Sequence, residues 1–438
     1  MLPSISGFEY ESGYEYILRI SRTDYLDYSM GEPAMRTYAA SCIDIACKPL
    51  VINQSWLYDR HLNTALMKER LVEVLNEYPT LAGRISGNSI ICNNAGVFWE
   101  ENQQPGTSVK ELSKITLPEK RFQAEFDNKA AIAGAFPLLS IKVSHLKDGT
   151  ILNVKCSHFC ADGGTFYRTM ENWSSLARDE GFVIKPVYDD TAVSKALAAT
   201  NVYGELASHD MKGTGGMLEK EGMYRIRPSV MFPMMWQKLL RIDRLLSLPV
   251  FVPYSRIAAV KDASERSVGR NAALSAIAVE ILKRPMGWSG KNINVVHTAD
   301  HRGRIDFIDM DYAGNASFTL RPTTVNADLP AGQMASLIEE DMKRMIEPEC
   351  ESRYFAFYYT MLEKKMPYLP FDINSMWCAH PVTFIINNCL KFNIYGMDFG
   401  EGAPVFAWPL DFSDPVRFWP APPQEDGVYI YFTGAFAK

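Results

Sequence analysis

Apolar and polar residues take turns along Thr150-Ile-Leu-Asn-Val-Lys-Cys-Ser-His158, where Leu152, Val154 and Cys156 alternate with Ile151, Asn153, Lys155 and Ser157. A period of two marks a strand with one apolar face, and His158 arrives in phase with that face. Asp162-Gly163-Gly164 then supplies turn chemistry, and Phe166, Met170, Trp173 and Ala177 recur at helical spacing. The segment therefore predicts a strand, a tight turn and a helix beginning near Thr165. The same patterning predicts a strand over residues 15–20 and a helix from about 62 to 78, stopped by Pro79. It predicts a hairpin over 90–99, and a strand over 137–145 that Lys147-Asp148-Gly149 turns into the His158 strand. From about 184 to 218 the periodicity fades, and 208–216 is polar and glycine-rich, which reads as an interdomain linker. Beyond it the pattern predicts a buried helix over 271–282, an interior strand over 293–297 and an amphipathic helix over 333–346. Strands and helices are interspersed without repeats, so the class is mixed α/β.

With 438 residues, 47% hydrophobic and 22% charged, the chain has an ordinary globular composition. That length leaves room for two domains of about 200 residues each. A formal net charge of −6 provides no basic field to hold a phosphate backbone or an anionic membrane surface. The amino end lacks a basic region followed by an apolar core, and no run of about 18 apolar residues occurs, so a cytosolic protein is expected. Eight cysteines without framework spacing fit reduced thiols better than disulfides. No GxxxxGK loop, GxGxxG fingerprint or GxSxG elbow appears, which leaves nucleotide-dependent and serine-hydrolase chemistry without support.

A histidine at the end of a buried strand face is partly stripped of water, which disfavours imidazolium and leaves a ring able to accept a proton. His158 is thus a candidate general base. Asp162 has two readings: a cap for the helix that follows, or a buried anion tied to an arginine elsewhere. Cys156, His158 and Cys160 share a face and could in principle hold zinc, but no fourth ligand stands at a telling spacing. A packed pair of buried thiols with no metal is the favoured alternative.

Several separated segments resemble the BAHD family of CoA-dependent acyltransferases, in a divergent fungal or plant form. They are Tyr78-Pro-Thr-Leu-Ala-Gly-Arg84, Pro137-Leu-Leu, His158-Phe-Cys-Ala-Asp162-Gly163 as the HxxxDG motif, and Asn271-Ala-Ala-Leu-Ser-Ala276. Asp300-His-Arg-Gly-Arg304, Tyr312-Ala-Gly-Asn-Ala316 and Asp398-Phe-Gly-Glu-Gly402 follow in order, the last resembling DFGWG. The resemblance implies two chloramphenicol-acetyltransferase-like α/β domains with a solvent channel at their interface. The domains would span 1–185, completed by a segment near 370–400, and 219–438, with 186–218 as the crossover. The implied activity is transfer of an acyl group to a small alcohol or amine, directly and through a ternary complex. Acyl-CoA would be the co-substrate, with acetyl-CoA favoured, and the enzyme would be a monomer. Ala316 stands where malonyl-transferring relatives often carry cysteine, which argues against malonyl.

In that family the motif aspartate points away from the channel and pairs with arginine. The resemblance thus implies an ion pair of Asp162 with Arg302, with Arg304 second, and a structural role for Asp398. The register of the family's Thr-Ser-Trp run falls on Asn387-Asn388-Cys389, so Asn387 or Asn388 is the oxyanion candidate, against a buried amide bonded to nearby backbone. Arg256, Lys261, Ser267 and Arg270 lie near the expected CoA contact, although a solvated basic face explains such a group equally. Glu401 replaces the tryptophan of DFGWG. Two alternatives stand beside acyl-CoA transfer. One is a BAHD-fold protein that cyclises a substrate or binds a partner. The other is a carrier-dependent condensation enzyme, which would carry a histidine where Ser157 stands.

Overall fold

In the computed structural model of the chain, the described residues are 15–18, 26–27, 34–114, 118–200, 202, 223–227, 249–366, 368–369, 382–411 and 415–436. The glycine-rich stretch 208–216 falls outside them. The chain packs into two compact units. The first comprises Met1–Thr191, Asp309–Ala316 and Phe392–Asp411, and the second Ala192–Ile308, Ser317–Lys391 and Phe412–Lys438.

The first unit is built on a six-stranded sheet in the order Glu15–Leu18, Val97–Gln104, Leu139–Leu146, Thr150–Ser157, Val51–Tyr58 and Phe406–Pro409. The Thr150–Ser157 strand is central, antiparallel to Leu139–Leu146 on one side and to Val51–Tyr58 on the other, with Thr150 opposite Tyr58 and Ser157 opposite Val51. Gly149 closes the hairpin into it, its carbonyl accepting from the Leu146 amide at 2.8 Å. A Cβ at that glycine would stand 2.2 Å from the Tyr58 carbonyl oxygen, so no other residue fits without moving the sheet.

The alternation that predicts one apolar face meets a sheet covered on both sides, because Ile151, Leu152, Asn153, Val154, Cys156 and Ser157 are all buried. The polar member is fully used. The Asn153 amide donates to Asn53 Oδ1, the Gln54 carbonyl and Ser55 Oγ at 2.8–3.0 Å, and its oxygen accepts from the Ala124 amide at 2.7 Å. A buried asparagine satisfied in this way costs little, whereas an unsatisfied one would cost about 1–3 kcal/mol.

The helix after the turn spans Gly163–Ala177, and Phe166, Met170, Trp173 and Ala177 are all buried as its spacing predicts. Trp173 donates to the Met67 carbonyl at 2.8 Å, which ties this helix to the Thr64–Glu77 helix. That second helix starts at an Asn63 cap and gives way to a 3-10 turn at Pro79.

One expected element is absent. Ser89–Ile91 and Val97–Gln104 do not form a hairpin: the first pairs with Arg84–Ser86 and Thr37–Ala39, and the second runs parallel to Leu139–Leu146. The Arg84 guanidinium holds the connection open by donating to the carbonyls of Gly83, Ala95 and Gly96 at 2.8–3.0 Å. Turn residues between two β-prone runs thus lead into different sheets.

The second unit carries a seven-stranded sheet with Val250–Pro253, Gly427–Phe432, Val416–Pro420, Thr383–Asn388, Asn292–Asp300 and Ser317–Thr319 in that order, Thr323–Asn326 also pairing with Asn292–Asp300. The strand predicted at 293–297 is interior, parallel to Thr383–Asn388 on one side and antiparallel to Thr323–Asn326 and Ser317–Thr319 on the other. The Arg270–Lys283 helix buries Ala272, Ala273, Leu274, Ala276, Ile277, Ala278, Val279 and Leu282, an almost all-apolar cylinder suited to a core. Within the span read as linker, a helix occupies Ala192–Ala198.

Candidate active site

His158 follows the last residue of its strand. Because Ser157 lies opposite Val51 in an antiparallel ladder, the chain just before Val51 is brought to the chain just after Ser157. The His158 amide accordingly donates to the Leu50 carbonyl at 3.0 Å, and the Leu50 amide to the Cys47 carbonyl at 2.9 Å. The end of the short Cys42–Cys47 helix is thereby set beside the histidine.

His158 is a part-exposed residue, and its ring Nδ1 lies 2.9 Å from Asn315 Oδ1. Asn315 is itself oriented without ambiguity: its Nδ2 donates to Asp44 Oδ1 at 2.7 Å and to the His158 carbonyl at 2.9 Å, two groups that only accept. Its Oδ1 must therefore face the ring, so Nδ1 carries the hydrogen and Nε2 is left as the proton acceptor. Asp44 is fixed by a capping box, its Oδ2 accepting from the Ser41 amide and Ser41 Oγ at 2.8 Å. Burial pushes the Asp44 carboxyl up from its ordinary range, and the donors from Asn315 and Ser41 pull against that.

The backbone contacts through Leu50 bring Cys47 close enough to act electrostatically on the His158 ring. Burial drives His158 toward the neutral form, as its strand position predicts, but Cys47 and then the Asp162 carboxylate act the other way and carry its pKa up to about 10.

Asp162 is fully buried and works as the cap of the Gly163–Ala177 helix, its Oδ1 accepting from the Thr165 amide at 2.9 Å. Its second oxygen accepts from the Ala316 amide at 2.9 Å, next to Asn315. Thr165 Oγ1 adds a bond to the Gly314 carbonyl at 3.1 Å. One carboxylate thus starts the helix and pins the loop that holds the histidine in place.

Nearby, Cys156 and Cys160 are buried with their sulfurs 3.8 Å apart, and the Cys156 hydrogen bond with burial pushes the Cys160 thiol up. Among the described residues no cluster of His, Cys, Asp and Glu could hold a metal ion.

The remaining candidates are described within their own units. Arg302 is buried and bonds Asp300 Oδ1 at 2.9 Å. Arg304 bonds the buried Glu351 carboxylate at 2.6 Å, as does the His301 ring at 2.5 Å. Asp398 Oδ1 accepts from the amides of Gly400 and Gly402 at 2.8 and 2.9 Å, a closed turn in which both glycines have positive φ. Phe399 packs its ring 4.8 Å from that of Trp173, while Glu401 is exposed, so glutamate in place of tryptophan leaves no hole in this unit. Asn387 and Asn388 end their strand part-exposed; Asn388 Oδ1 accepts from the Leu390 amide at 3.0 Å and Asn387 Oδ1 faces Cys389 Sγ at 3.6 Å.

Arg256, Lys261, Ser267 and Arg270 are all exposed. Arg256 faces Glu280 at 3.4 Å, Arg270 stacks over the Tyr254 ring at 5.1 Å, and the Gly269 amide at the start of the Arg270–Lys283 helix donates to Glu339 at 2.9 Å. A carboxylate of the same unit already occupies the helix start that a phosphate would favour.

Three residues of the constellation escape a reading of sequence alone. Asp44 carried a local signal, the Ser41-x-x-Asp44 capping pattern. Asn315 lies inside the Tyr312–Ala316 segment but has no spacing relation to His158. Cys47 has none either, and only the strand register brings it there.

A family model described as the Transferase family matches residues 36–214. Hydroxycinnamoyl-CoA:5-hydroxyanthranilate N-hydroxycinnamoyltransferase of Avena sativa is 24% identical over 372 residues, covering 80% of this chain and 78% of that protein. The crystal structure of vinorine synthase superposes with a TM-score of 0.65 at 16% identity, covering 98% of this chain and all of that one. That of F. graminearum TRI101 complexed with coenzyme A and T-2 mycotoxin gives 0.62 at 15% identity, covering 92% and 96%. The mixed α/β fold, the matched span and the full-length likeness agree: the chain is similar to the BAHD acyltransferases, and the relatives it matches are named as acyl-transferring enzymes.

Proposed function

We propose that the chain is an acyl-CoA-dependent O- or N-acyltransferase of specialised metabolism, acting on a small alcohol or amine, with His158 as general base. The observation that carries the reading is the anchoring of the ring: His158 is a part-exposed residue held through Nδ1 by Asn315, which leaves Nε2 as the nitrogen that can take a proton. The acceptor's O–H or N–H gives its proton to Nε2 as the oxygen or nitrogen attacks the thioester carbonyl, and the tetrahedral oxyanion collapses to release CoA. Asp162 supports the site through the fold. Relatives named as hydroxycinnamoyl-CoA transferases and a TRI101 structure holding coenzyme A favour acyl-CoA as donor. No helix of the described residues is long and apolar enough to cross a membrane, and the reading extends to a monomer working in the cytosol.

The test is a panel of acyl-CoAs, including acetyl-CoA and a hydroxycinnamoyl-CoA, offered with alcohols and amines while free thiol is followed. Thiol release that depends on the acceptor is expected. Neither release nor calorimetric binding at millimolar donor, the upper end of ordinary Michaelis constants, would sink the reading.

The base must be unprotonated to act, so kcat/KM should climb with pH toward the His158 pKa of about 10. Replacing Cys47 by alanine removes the leading cause of the upward shift and leaves burial, which acts downward. The acid limb of the profile should therefore move to lower pH in Cys47→Ala, and a limb that stays in place would show that Cys47 does not set the proton affinity of His158.

A further inference from the structure

The Arg270–Lys283 helix of the second unit opens in a setting that electrostatics favours for phosphate: the positive end of a helix, a glycine at its cap, and Arg266 and Arg270 in the adjoining chain. The protein fills that position with an anion of its own. Glu339, from the Ala331–Met345 helix, accepts from the Gly269 amide through Oε2 at 2.9 Å, and its Oε1 stands 3.2 Å from Lys343 Nζ. The Glu339 side chain is 14% exposed, so its charge is held against the protein surface rather than dispersed in water. A Cβ at Gly269 would stand 3.2 Å from Glu339 Oε2, so the glycine gives the carboxylate room to reach the amide. Just upstream, the Glu265 amide donates to Ser336 Oγ at 3.1 Å, which fastens residues 265–269 to the Ala331–Met345 helix at both ends. The neighbouring cations are engaged as well: Arg266 faces Glu340 at 3.0 Å, and Arg270 lies over the Tyr254 ring at 5.1 Å.

We propose that Glu339 is a donor-selecting residue: it keeps phosphate away from this helix, so the thioester donor is taken by its pantetheine arm and the nucleotide adds little. The inference rests on the acyl-CoA reading above and widens the donor class to acyl thioesters of pantetheine, with or without a nucleotide attached. Charge sets the direction. A phosphate brought to the helix start meets a carboxylate already bonded to the cap amide, in a partly covered place where water screens less than at open surface. To enter, it must part Glu339 from both Gly269 and Lys343, because the positive end of the helix is already engaged by the protein's own anion. A thioester without phosphates meets no such opposition. The reacting carbonyl and its sulfur are the same in both donors, so Glu339 acts on donor binding and not on the transfer step.

The experiment offers the full chain acetyl-CoA and S-acetyl-pantetheine, and separately the two p-coumaroyl thioesters, with the same acceptor panel while free thiol is followed. For the wild type, kcat/KM with the pantetheine donor should lie within about ten-fold of that with the CoA donor. Glu339→Gln keeps an oxygen for the Gly269 amide and removes the charge. It should lower KM for the CoA donor about ten-fold relative to that for the pantetheine donor. A second readout needs no turnover: calorimetry with CoA and with pantetheine, neither acylated, on both proteins after circular dichroism confirms their fold. CoA should bind Glu339→Gln about ten-fold more tightly than wild type, by a margin that shrinks as salt is added. A wild-type preference of about a hundred-fold or more for the CoA donor would overturn the proposal, and this comparison decides it even where Glu339→Gln does not fold. A CoA affinity unchanged in folded Glu339→Gln would likewise overturn the role of Glu339, and both results leave acyl-CoA transfer standing. If neither donor binds or releases thiol, the acyl-transfer reading falls as well.

Discussion

His158→Ala should lower acceptor-dependent CoA release by about a hundred- to ten-thousand-fold, the range that a positioned general base contributes, while unfolding free energy stays within about 1 kcal/mol of wild type. The asymmetry follows from where the ring sits. It is part-exposed at a strand end, and the sheet bonds of Thr150–Ser157 do not involve its side chain. Water reaching the vacated space can serve the Asn315 oxygen that loses its partner, which keeps the structural cost small. Activity and denaturation measured on one preparation check both halves, and wild-type turnover in the variant would remove His158 from the chemistry.

Asp162→Ala should behave in the opposite way, losing about 2–5 kcal/mol of stability. Its two oxygens hold the amides of Thr165 and Ala316, at 2 % and 0 % exposure, so truncation strands both amides out of reach of water. The helix start and the loop carrying Asn315 loosen together, and activity falls as a consequence of misplacing His158. Asp162→Asn retains one acceptor oxygen and should fall between the two. A urea midpoint for Asp162→Ala equal to that of the wild type would show that this carboxylate does not carry the load assigned to it.

Much of the framework was legible because it is local. The Gly163–Ala177 helix and its Asp162 cap follow from side-chain spacing and turn chemistry within the one segment, and so do the Thr64–Glu77 helix and its stop at Pro79. The hairpin expected over 90–99 fails for a non-local reason, since Arg84 clamps the carbonyls of Ala95 and Gly96 and sends the following strand to a different sheet. The histidine was visible by its position and motif, but its protonation was not. Burial is a property of the strand and predicts a neutral ring, whereas the opposing effect of Cys47 depends on pairing Val51 with Ser157, more than a hundred residues apart in sequence. Asn315 is further still from His158 along the chain, which is why the group that fixes the tautomer could be quoted within a motif without its purpose being apparent.

The central claim is that Asn315 keeps the proton on Nδ1 and leaves Nε2 of His158 to exchange it. Nitrogen-15 NMR of the histidine rings across a pH titration reads this directly and requires no knowledge of the substrate. The account predicts that His158 Nδ1 remains protonated throughout while Nε2 alone changes state, and that Asn315→Ala abolishes this preference. A wild-type ring found with its hydrogen on Nε2 and a bare Nδ1 would contradict it.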